Sequence, residues 1–293
     1  MSLDLAQLRA LAAVVTEGSF DAAARSLHVT PSAVSQRIKA LESAAGRTLV
    51  RRTRPVAATE AGTRMLRLAR DVDLLVSEAQ ASLSTDPDAG PVRVPIAVNA
   101  DSLATWVLPA LAEAADGVVV DLHRADQDRT AGLLRDGVVM AAVTSDRAPV
   151  QGCSVTRLGT MRYRPCAAPG FVARHLDGRP FGRALRSAPV VVFDRTDRLQ
   201  DDYLTRHAVR PGDPPRHHVP GSDEFLAAVR LGLGWGMLPD LQTEALRAAG
   251  DVVVLEPGAS DDVELVWQRW RLPSEALDRV TASVVRHGRA ALA

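Results

Sequence analysis

The sequence predicts an α/β protein that begins with an all-α winged helix-turn-helix. Three observations lead there. Residues 19–46, SFDAAARSLHVTPSAVSQRIKALESAAG, read as two short helices joined by a tight turn. Residues 61–83 are a long helical stretch without proline. From residue 92 onward, strand-like and helix-like stretches alternate, as they do in parallel sheets covered by helices.

The first helix is marked by Leu5, Leu8, Leu11, Ala12 and Val15 on one stripe and is ended by Gly18. Ser19 can cap the next, whose Ala22, Ala23, Ala24 and Leu27 make a small, close-packing face. His28 and Val29 fall in the turn. Thr30 then stands as an N-cap with Pro31 at the first helical position, where its missing N–H costs nothing. Val34, Ile38, Leu41 and Ala45 mark the inward face of this helix, and Gly46 closes it. Ser32, Ser35, Gln36, Arg37 and Lys39 lie on its other faces. Such a helix can enter a DNA major groove. An ordinary helical hairpin has the same spacing, and the flanking residues decide between them. The first helix supplies a third wall, and residues 49–62, LVRRTRPVAATEAG, place two short runs around a cationic tip, as a wing hairpin would.

Residues 1–62 hold eight Lys/Arg against five Asp/Glu, a net +3 in a chain that is neutral overall. Basic residues gathered at one end suit phosphate contact, which releases counterions. The candidate DNA contacts are therefore Thr30, Pro31, Ser32, Ser35, Gln36, Arg37 and Lys39 on the helix, with Arg51, Arg52 and Arg54 on the wing. Arginine outnumbers lysine 34 to 1 across the chain, but scattered, so this carries no functional meaning.

In the long helix, Met65, Leu68, Val72, Leu75, Ala79 and Ser82 recur at alternating three- and four-residue steps, the spacing of a coiled-coil seam. The helix spans roughly 35 Å at about 1.5 Å per residue. An amphipathic helix packed on its own chain is the alternative. Residues 84–91, STDPDAGP, read as a hinge.

Beyond the hinge, strands are expected at 92–98, 118–122, 138–143, 190–193, 235–238, 252–255 and 264–267. Helices are expected at 102–115, with Pro109 as a kink or late start, and at 129–135, 198–206, 222–231, 241–248 and from 274 onward. In such sheets ligands sit where strands end and helices begin. That rule selects Asn99, Asp101 and Ser102 after the first strand, Thr144 after a buried one, Asp194 after VVVF, and Asp223 at a helix start. Each also reads as a cap or turn residue. Asp126-Gln127-Asp128 forms another acidic group, read as a solvated loop.

A chain of 293 residues with 46% hydrophobic content can fill two or three cores. No apolar run reaches the roughly 18 residues needed to cross a membrane, and no secretory signal opens the chain. Cys153 and Cys166 cannot make a disulfide framework, so reduced thiols and a cytoplasmic location are expected. No nucleophile elbow or P-loop is present. Gly232-Leu233-Gly234-Trp235-Gly236 follows a helix and precedes a strand, the wrong order for dinucleotide binding. His217-His218 lacks a third ligand at useful spacing. No catalytic residue, metal or cofactor is expected.

The run TPSAVSQRIKALE followed by LVRRTRPVAATEAG resembles the N-terminal signature of the LysR-type transcriptional regulators, and the order of later segments fits over the whole chain. Val50 departs from it, since the family more often has an aromatic there. The resemblance implies a periplasmic-binding-protein-like effector domain of two lobes, joined by crossover strands near 158–163 and 263–267, with a small effector between them. It implies a division into a winged helix-turn-helix (1–60), a linker and dimerisation helix (61–83), a hinge (84–91), lobe 1 (92–160 plus 265–293) and lobe 2 (161–264). VNADSLATWVLPAL, DQDRTAGLLRDG and GLGWGMLP are similar to the branch that senses lysine and arginine and controls their export. A basic amino acid needs anions for its two cations and donors for its carboxylate, and Asp101, Asp194 and Asp223 are the candidate anions. The implied partners are a double-stranded DNA operator, lysine or arginine, RNA polymerase, and further copies of the chain as a dimer or tetramer, with no membrane. A regulator of another effector and an effector-independent DNA binder stand as alternatives. An enzyme or solute-binding protein fits less well, given the Thr30-Pro31 helix start and the wing arginines.

Overall fold

The computed structural model describes residues 3–83, 90–124 and 127–292. It divides into two compact units. The first comprises Met1–Asn99, Pro109–Arg157 and Val266–Arg286, and the second Ala100–Leu108, Leu158–Leu265 and His287–Ala293.

The first unit opens with α1 (Leu5–Glu17), α2 (Phe20–Ser26) and α3 (Pro31–Ala45). Their ends follow from local chemistry. Asp4 Oδ1 accepts from the Ala6 amide at 2.7 Å, Ser19 Oγ from Ala22 at 3.1 Å and Thr30 Oγ1 from Ala33 at 3.2 Å, so each helix start has a side-chain acceptor. Gly18 and Gly46 close α1 and α3 with φ of 70° and 65°. Leu8, Leu11, Val14, Ala23, Ala24, Val34, Ile38 and Leu41 form one buried core with Leu49, Val50 and Val56. Val50, the departure from the family pattern, is part of that core. The wing pairs β1 (Val50–Arg51) antiparallel with β2 (Ala57–Ala58).

Helix α4 (Glu60–Leu83) starts where Thr59 Oγ1 accepts from the Gly62 amide at 3.0 Å. A Cβ at Gly62 would lie 1.8 Å from the Leu49 carbonyl oxygen, so only glycine lets the helix start this close to the wing. Of the expected seam, Met65 and Val72 are partly buried against the N-terminal core, which corrects their assignment to a seam facing only a partner. Leu68, Leu75, Ala79 and Ser82 are exposed. The helix also reaches the α/β part of its own unit through two charges. Arg67 donates to the carbonyls of Leu134 (3.4 Å), Arg135 (2.9 Å) and Gln151 (3.1 Å). Glu78 Oε1 accepts from Ser274 Oγ at 2.5 Å and the Ala276 amide at 2.9 Å.

From the expected hinge, residues 84–89 lie outside the described residues, as does Asp126 of the acidic group. Strand β3 (Val92–Val98) leads into a helical run of α5 (Ala100–Ser102), a π-helical turn (Leu103–Val107) and α6 (Leu108–Ala114). The helix thus begins earlier than expected. The break anticipated at Pro109 takes the form of that π turn, just before the proline, whose nitrogen has no hydrogen to give the helix ladder. β4 (Val118–Arg124), α7 (Gln127–Arg135) and β5 (Ala141–Thr144) follow. β5 starts three residues later than the sequence suggests, because the amides of Val138 and Val139 are taken by the Leu133 carbonyl at the close of α7. β3 pairs in parallel with both β4 and β5, so it is covered on both edges and buried at six of its seven positions.

Strand β6 (Cys153–Ala167) begins in the first unit and ends in the second. Then come α8 (Pro169–His175), α9 (Phe181–Ser187), β7 (Val190–Val192), α10 (Leu199–Arg206), β8 (Arg216–His218), α11 (Ser222–Arg230), β9 (Gly236–Pro239), α12 (Asp240–Ala249) and β10 (Val253–Val254). In the second unit β6 pairs antiparallel with β9 and β10, and β7 pairs in parallel with β8. Cys166, Val191, Phe225, Val229 and Leu238 form its core. Helices α8 and α9 and strand β8 were not anticipated; each is short and lacks a full period of apolar residues. β11 (Asp261–Trp270) returns to the first unit and pairs antiparallel with β5, and α13 (Glu275–Ala291) ends the chain's regular structure.

Asp71, on α4, has a buried Oδ1 without a hydrogen-bond partner, and burial pushes its carboxyl up to about 6 against the opposing pull of Arg67. A raised carboxyl is held more tightly protonated in the folded state. Asp71 therefore costs nothing below its ordinary value of 3.8 and lowers stability as pH rises towards 6. Asp71→Asn should stabilise the protein at pH 7 by about 1–2 kcal/mol, allowing for partial solvent screening. Urea unfolding at several pH values checks this: the gain should vanish near pH 4, and a gain independent of pH would reject the account.

Candidate DNA-reading surface and effector site

Burial of Val34, Ile38 and Leu41 aims one side of α3 inward, which leaves Thr30, Pro31, Ser32, Gln36 and Lys39 exposed and Ser35 and Arg37 half-buried. Thr30 Oγ1 and Ser32 Oγ lie 2.9 Å apart at the helix start. Arg51, Arg52 and Arg54 are exposed on the wing. Among the described residues none of Arg37, Lys39, Arg51, Arg52 and Arg54 enters an ion pair. The Arg52 guanidinium stands 5.4 Å from the centroid of the Phe20 ring, which restrains it beside α2. Glu42, on the inner side of α3, was not anticipated: its Oε1 accepts from the amides of Leu49 (2.7 Å) and Val50 (3.3 Å). Helix α3 thereby holds the start of the wing.

The second candidate site lies within the second unit, around Asp101. Its Oδ2 accepts from the Tyr163 hydroxyl at 2.7 Å and its Oδ1 from Ser222 Oγ at 2.6 Å. Ser222 in turn accepts from Gln242 Nε2 at 3.0 Å. Asp197, largely buried, accepts from the amides of Phe193 (3.0 Å) and Leu199 (3.1 Å). Burial raises the Asp197 carboxyl, its two backbone bonds oppose that, and the negative charges of Asp101 and Asp194 add to the rise. Tyr163 is fully buried, and burial followed by Asp101 and then Asp197 pushes its hydroxyl well above the ordinary range, so it remains a donor. Neither Asp101 nor Asp197 enters an ion pair among the described residues. A buried carboxylate without a cationic partner is an unfavourable arrangement.

The six sequence-selected effector residues have different surroundings. Asp101 is at the centre of the network just described. Ser102 is fully buried and its hydroxyl has no partner. Asn99 and Thr144 belong to the first unit. Asn99 is buried with an unpartnered Oδ1, and Thr144 Oγ1 accepts from the Asp146 amide at 3.1 Å. Asp194 Oδ1 accepts from the amides of Thr196 and Asp197 and from Thr196 Oγ1, closing its own turn. Asp223 is exposed in the first turn of α11, with Gln242 Nε2 at 3.5 Å. Tyr163, Asp197, Ser222 and Gln242 were missed. Asp197 was legible in principle, three residues after Asp194 in the same loop; Tyr163 lies mid-strand, outside the strand-end rule used for selection.

A family model described as the bacterial regulatory helix-turn-helix protein of the lysR family matches residues 5–63, and one described as the LysR substrate binding domain matches residues 86–289. This chain belongs to the LysR family. Among LysR-family relatives, the HTH-type transcriptional regulator LysG of Mycobacterium tuberculosis is 48% identical over 282 residues, covering 96% of this chain and 92% of that protein. The lysine export transcriptional regulatory protein LysG of Corynebacterium glutamicum is 42% identical over 283 residues, covering 95% and 96%. The fold agrees with the crystal structure of ArgP from Mycobacterium tuberculosis, at 47% identity and a TM-score of 0.83 over 98% of both chains. It also agrees with full-length LysG from Corynebacterium glutamicum with bound effector Arg, at 40% identity and a TM-score of 0.77 over 99% of both. As a LysR-family member the chain is a DNA-binding transcriptional regulator and not an enzyme. Among the described residues no helix is long and apolar enough to cross a membrane.

Proposed function

We propose that this regulator senses a basic amino acid, arginine or lysine, and controls a gene for amino-acid export from the cytoplasm. The observation that carries the reading is the pair Asp101 and Asp197, two carboxylates of one unit without a cationic partner, in a region that matches the LysR substrate binding domain. A ligand with two positive groups compensates both. The relative with bound Arg supports the choice of ligand class. Ser102, with its unpartnered hydroxyl, is proposed as a donor to the ligand carboxylate, and Asp194 and Asp223 as further negative charge around the site. The effector acts by binding the DNA-bound arrangements unequally, since equal affinity would shift nothing. Calorimetry with arginine, lysine, histidine, glutamate and an aromatic acid is the test. Arginine or lysine should bind, and Asp197→Asn should weaken that binding roughly ten- to a hundredfold, the worth of a charged hydrogen bond. Binding of the aromatic acid alone would reject the ligand class.

Residues 1–60 are proposed as the DNA-binding domain, with α3 in the major groove and the wing on the backbone. A glutamine amide can pair with adenine N6 and N7, so Gln36 is assigned to base reading and Arg37, Lys39, Arg51, Arg52 and Arg54 to phosphates, with Thr30, Pro31, Ser32 and Ser35 lining the entry. Gln36→Ala should cost roughly 1–3 kcal/mol on operator DNA and little on random DNA, whereas Arg52→Ala should weaken both and flatten the salt dependence. Equal losses on both DNAs for Gln36→Ala, measured by anisotropy, would remove its base-reading role.

Residues 61–83 are proposed to pair with a second copy through Leu68, Leu75, Ala79 and Ser82, giving the dimer that reads two half-sites and that can present itself to RNA polymerase. Residues 84–91 follow as the hinge, and 92–160 with 265–293, and 161–264, as the two lobes. Leu75→Arg would place an unpaired charge in the seam at a cost of several kcal/mol. Light scattering should then report loss of the dimer; an intact dimer would mean that the copies pair elsewhere.

A further inference from the structure

Three other aspartates of the second unit show how a guanidinium holds a carboxylate here. Asp240 is held by Arg164 at 3.0 Å and Arg247 at 3.1 Å, Asp261 by Arg206 at 2.5 Å, and Asp262 by Arg162 at 2.7 Å. Each is neutralised by a guanidinium. Asp101 has no such partner. Its two oxygens are held by two neutral hydroxyls, from Tyr163 on β6 and Ser222 on α11, which are 2% and 6% exposed. Gln242, on α12, holds Ser222 from behind. Neutral donors fix the plane of a carboxylate without discharging it. A carboxylate accepts about four hydrogen bonds, so two remain open on Asp101. The acceptor end of Gln242 is also buried without a partner, next to the same network.

We propose that Tyr163, Ser222 and Gln242 are positioning residues, which orient Asp101 so that its charge and its two open acceptor sites meet a cationic group of the effector in one geometry. The proposal rests on the reading of Asp101 as an effector anion. Orientation contributes to affinity because a preset carboxylate loses no side-chain freedom when the ligand arrives. The same network joins the start of the α5 helical run to strand β6 and to helices α11 and α12. Any ligand that tightens the hold on Asp101 therefore bears on three elements of the unit.

The test is calorimetry of the full chain with arginine and lysine, with thermal unfolding of the ligand-free protein alongside. Tyr163→Phe removes only the hydroxyl, and Ser222→Ala removes the second donor; each should bind about tenfold more weakly. Ser222→Thr keeps a hydroxyl at the same place and should restore binding, which a packing role for Ser222 would not produce. In the Asp101→Asn background, Tyr163→Phe should add no further loss, since its partner is already altered. Wild-type affinity in Tyr163→Phe and Ser222→Ala, together with weakened Asp101→Asn, would overturn the positioning role and leave the effector reading in place. Wild-type affinity in Asp101→Asn would overturn both. Additive losses in the double variant would show that Tyr163 acts on something other than Asp101. Should Tyr163→Phe fold poorly, the contrast between Ser222→Ala and Ser222→Thr decides alone.

Discussion

The first unit depends on one helix meeting the ends of two others. Helix termini leave backbone N–H and C=O groups without partners, and these carry partial charge. Helix α4 satisfies both kinds with side chains eleven residues apart. Arg67 takes the last carbonyls of α7, and Glu78 takes an amide at the start of α13. Its apolar side meanwhile packs on the N-terminal core through Met65, Ala69 and Val72. One helix is thus shared by the DNA-reading part and by the α/β part of the same unit. Its charges are used for docking, Leu66 and Leu74 are buried, and Leu68 and Leu75 stay exposed. The rotation of α4 is set by charge at two points rather than by the seam alone.

The second unit is governed by how its carboxylates are compensated. Arginine meets several of them, in a chain with almost no lysine, and the planar guanidinium suits paired bonds such as those of Arg162 to Asp262 at 2.8 and 2.7 Å. The Asp101 and Asp197 pair stands outside that pattern and is stabilised by hydroxyls and backbone amides alone. Removing water from such groups is unfavourable without a cation, so, on the proposed reading of the pair as the effector site, the ligand-free unit stores part of the driving force for binding.

Much of this was legible in the sequence, because local chemistry carried it. The N-caps Ser19 and Thr30, the closing glycines at 18 and 46 and the inward triad of α3 all follow from residue type and spacing, whereas the crossover strands were expected from the family resemblance alone. What stayed hidden arises from long-range contacts. Tyr163 meets Asp101 from 62 residues away, and Gln242 reaches it through Ser222, which is 121 residues from Asp101 in the chain; nothing in their own neighbourhoods marks them. Conversely, Asp194 and Asp223 satisfied the strand-end rule, yet one closes its own turn and the other is exposed at a helix start. The rule finds acids at the right edge; it does not say which of them are already occupied. Met65 and Val72 show the same limit, since heptad spacing cannot tell a partner's helix from the chain's own core.

The bond from Glu42 to the wing has a consequence for how such a protein can be controlled. A single carboxylate oxygen ties α3 to the first wing strand, beneath the surface that would face DNA. The groups proposed for base reading and for backbone contact then move as one body, like the jaws of a gauge set to a fixed width. A signal arriving from elsewhere in the protein has no slack to exploit inside one gauge. It can alter only the distance and angle between two of them. Control would then be written in operator spacing and DNA curvature, and the sequence preferred at each half-site would stay the same with or without the signal.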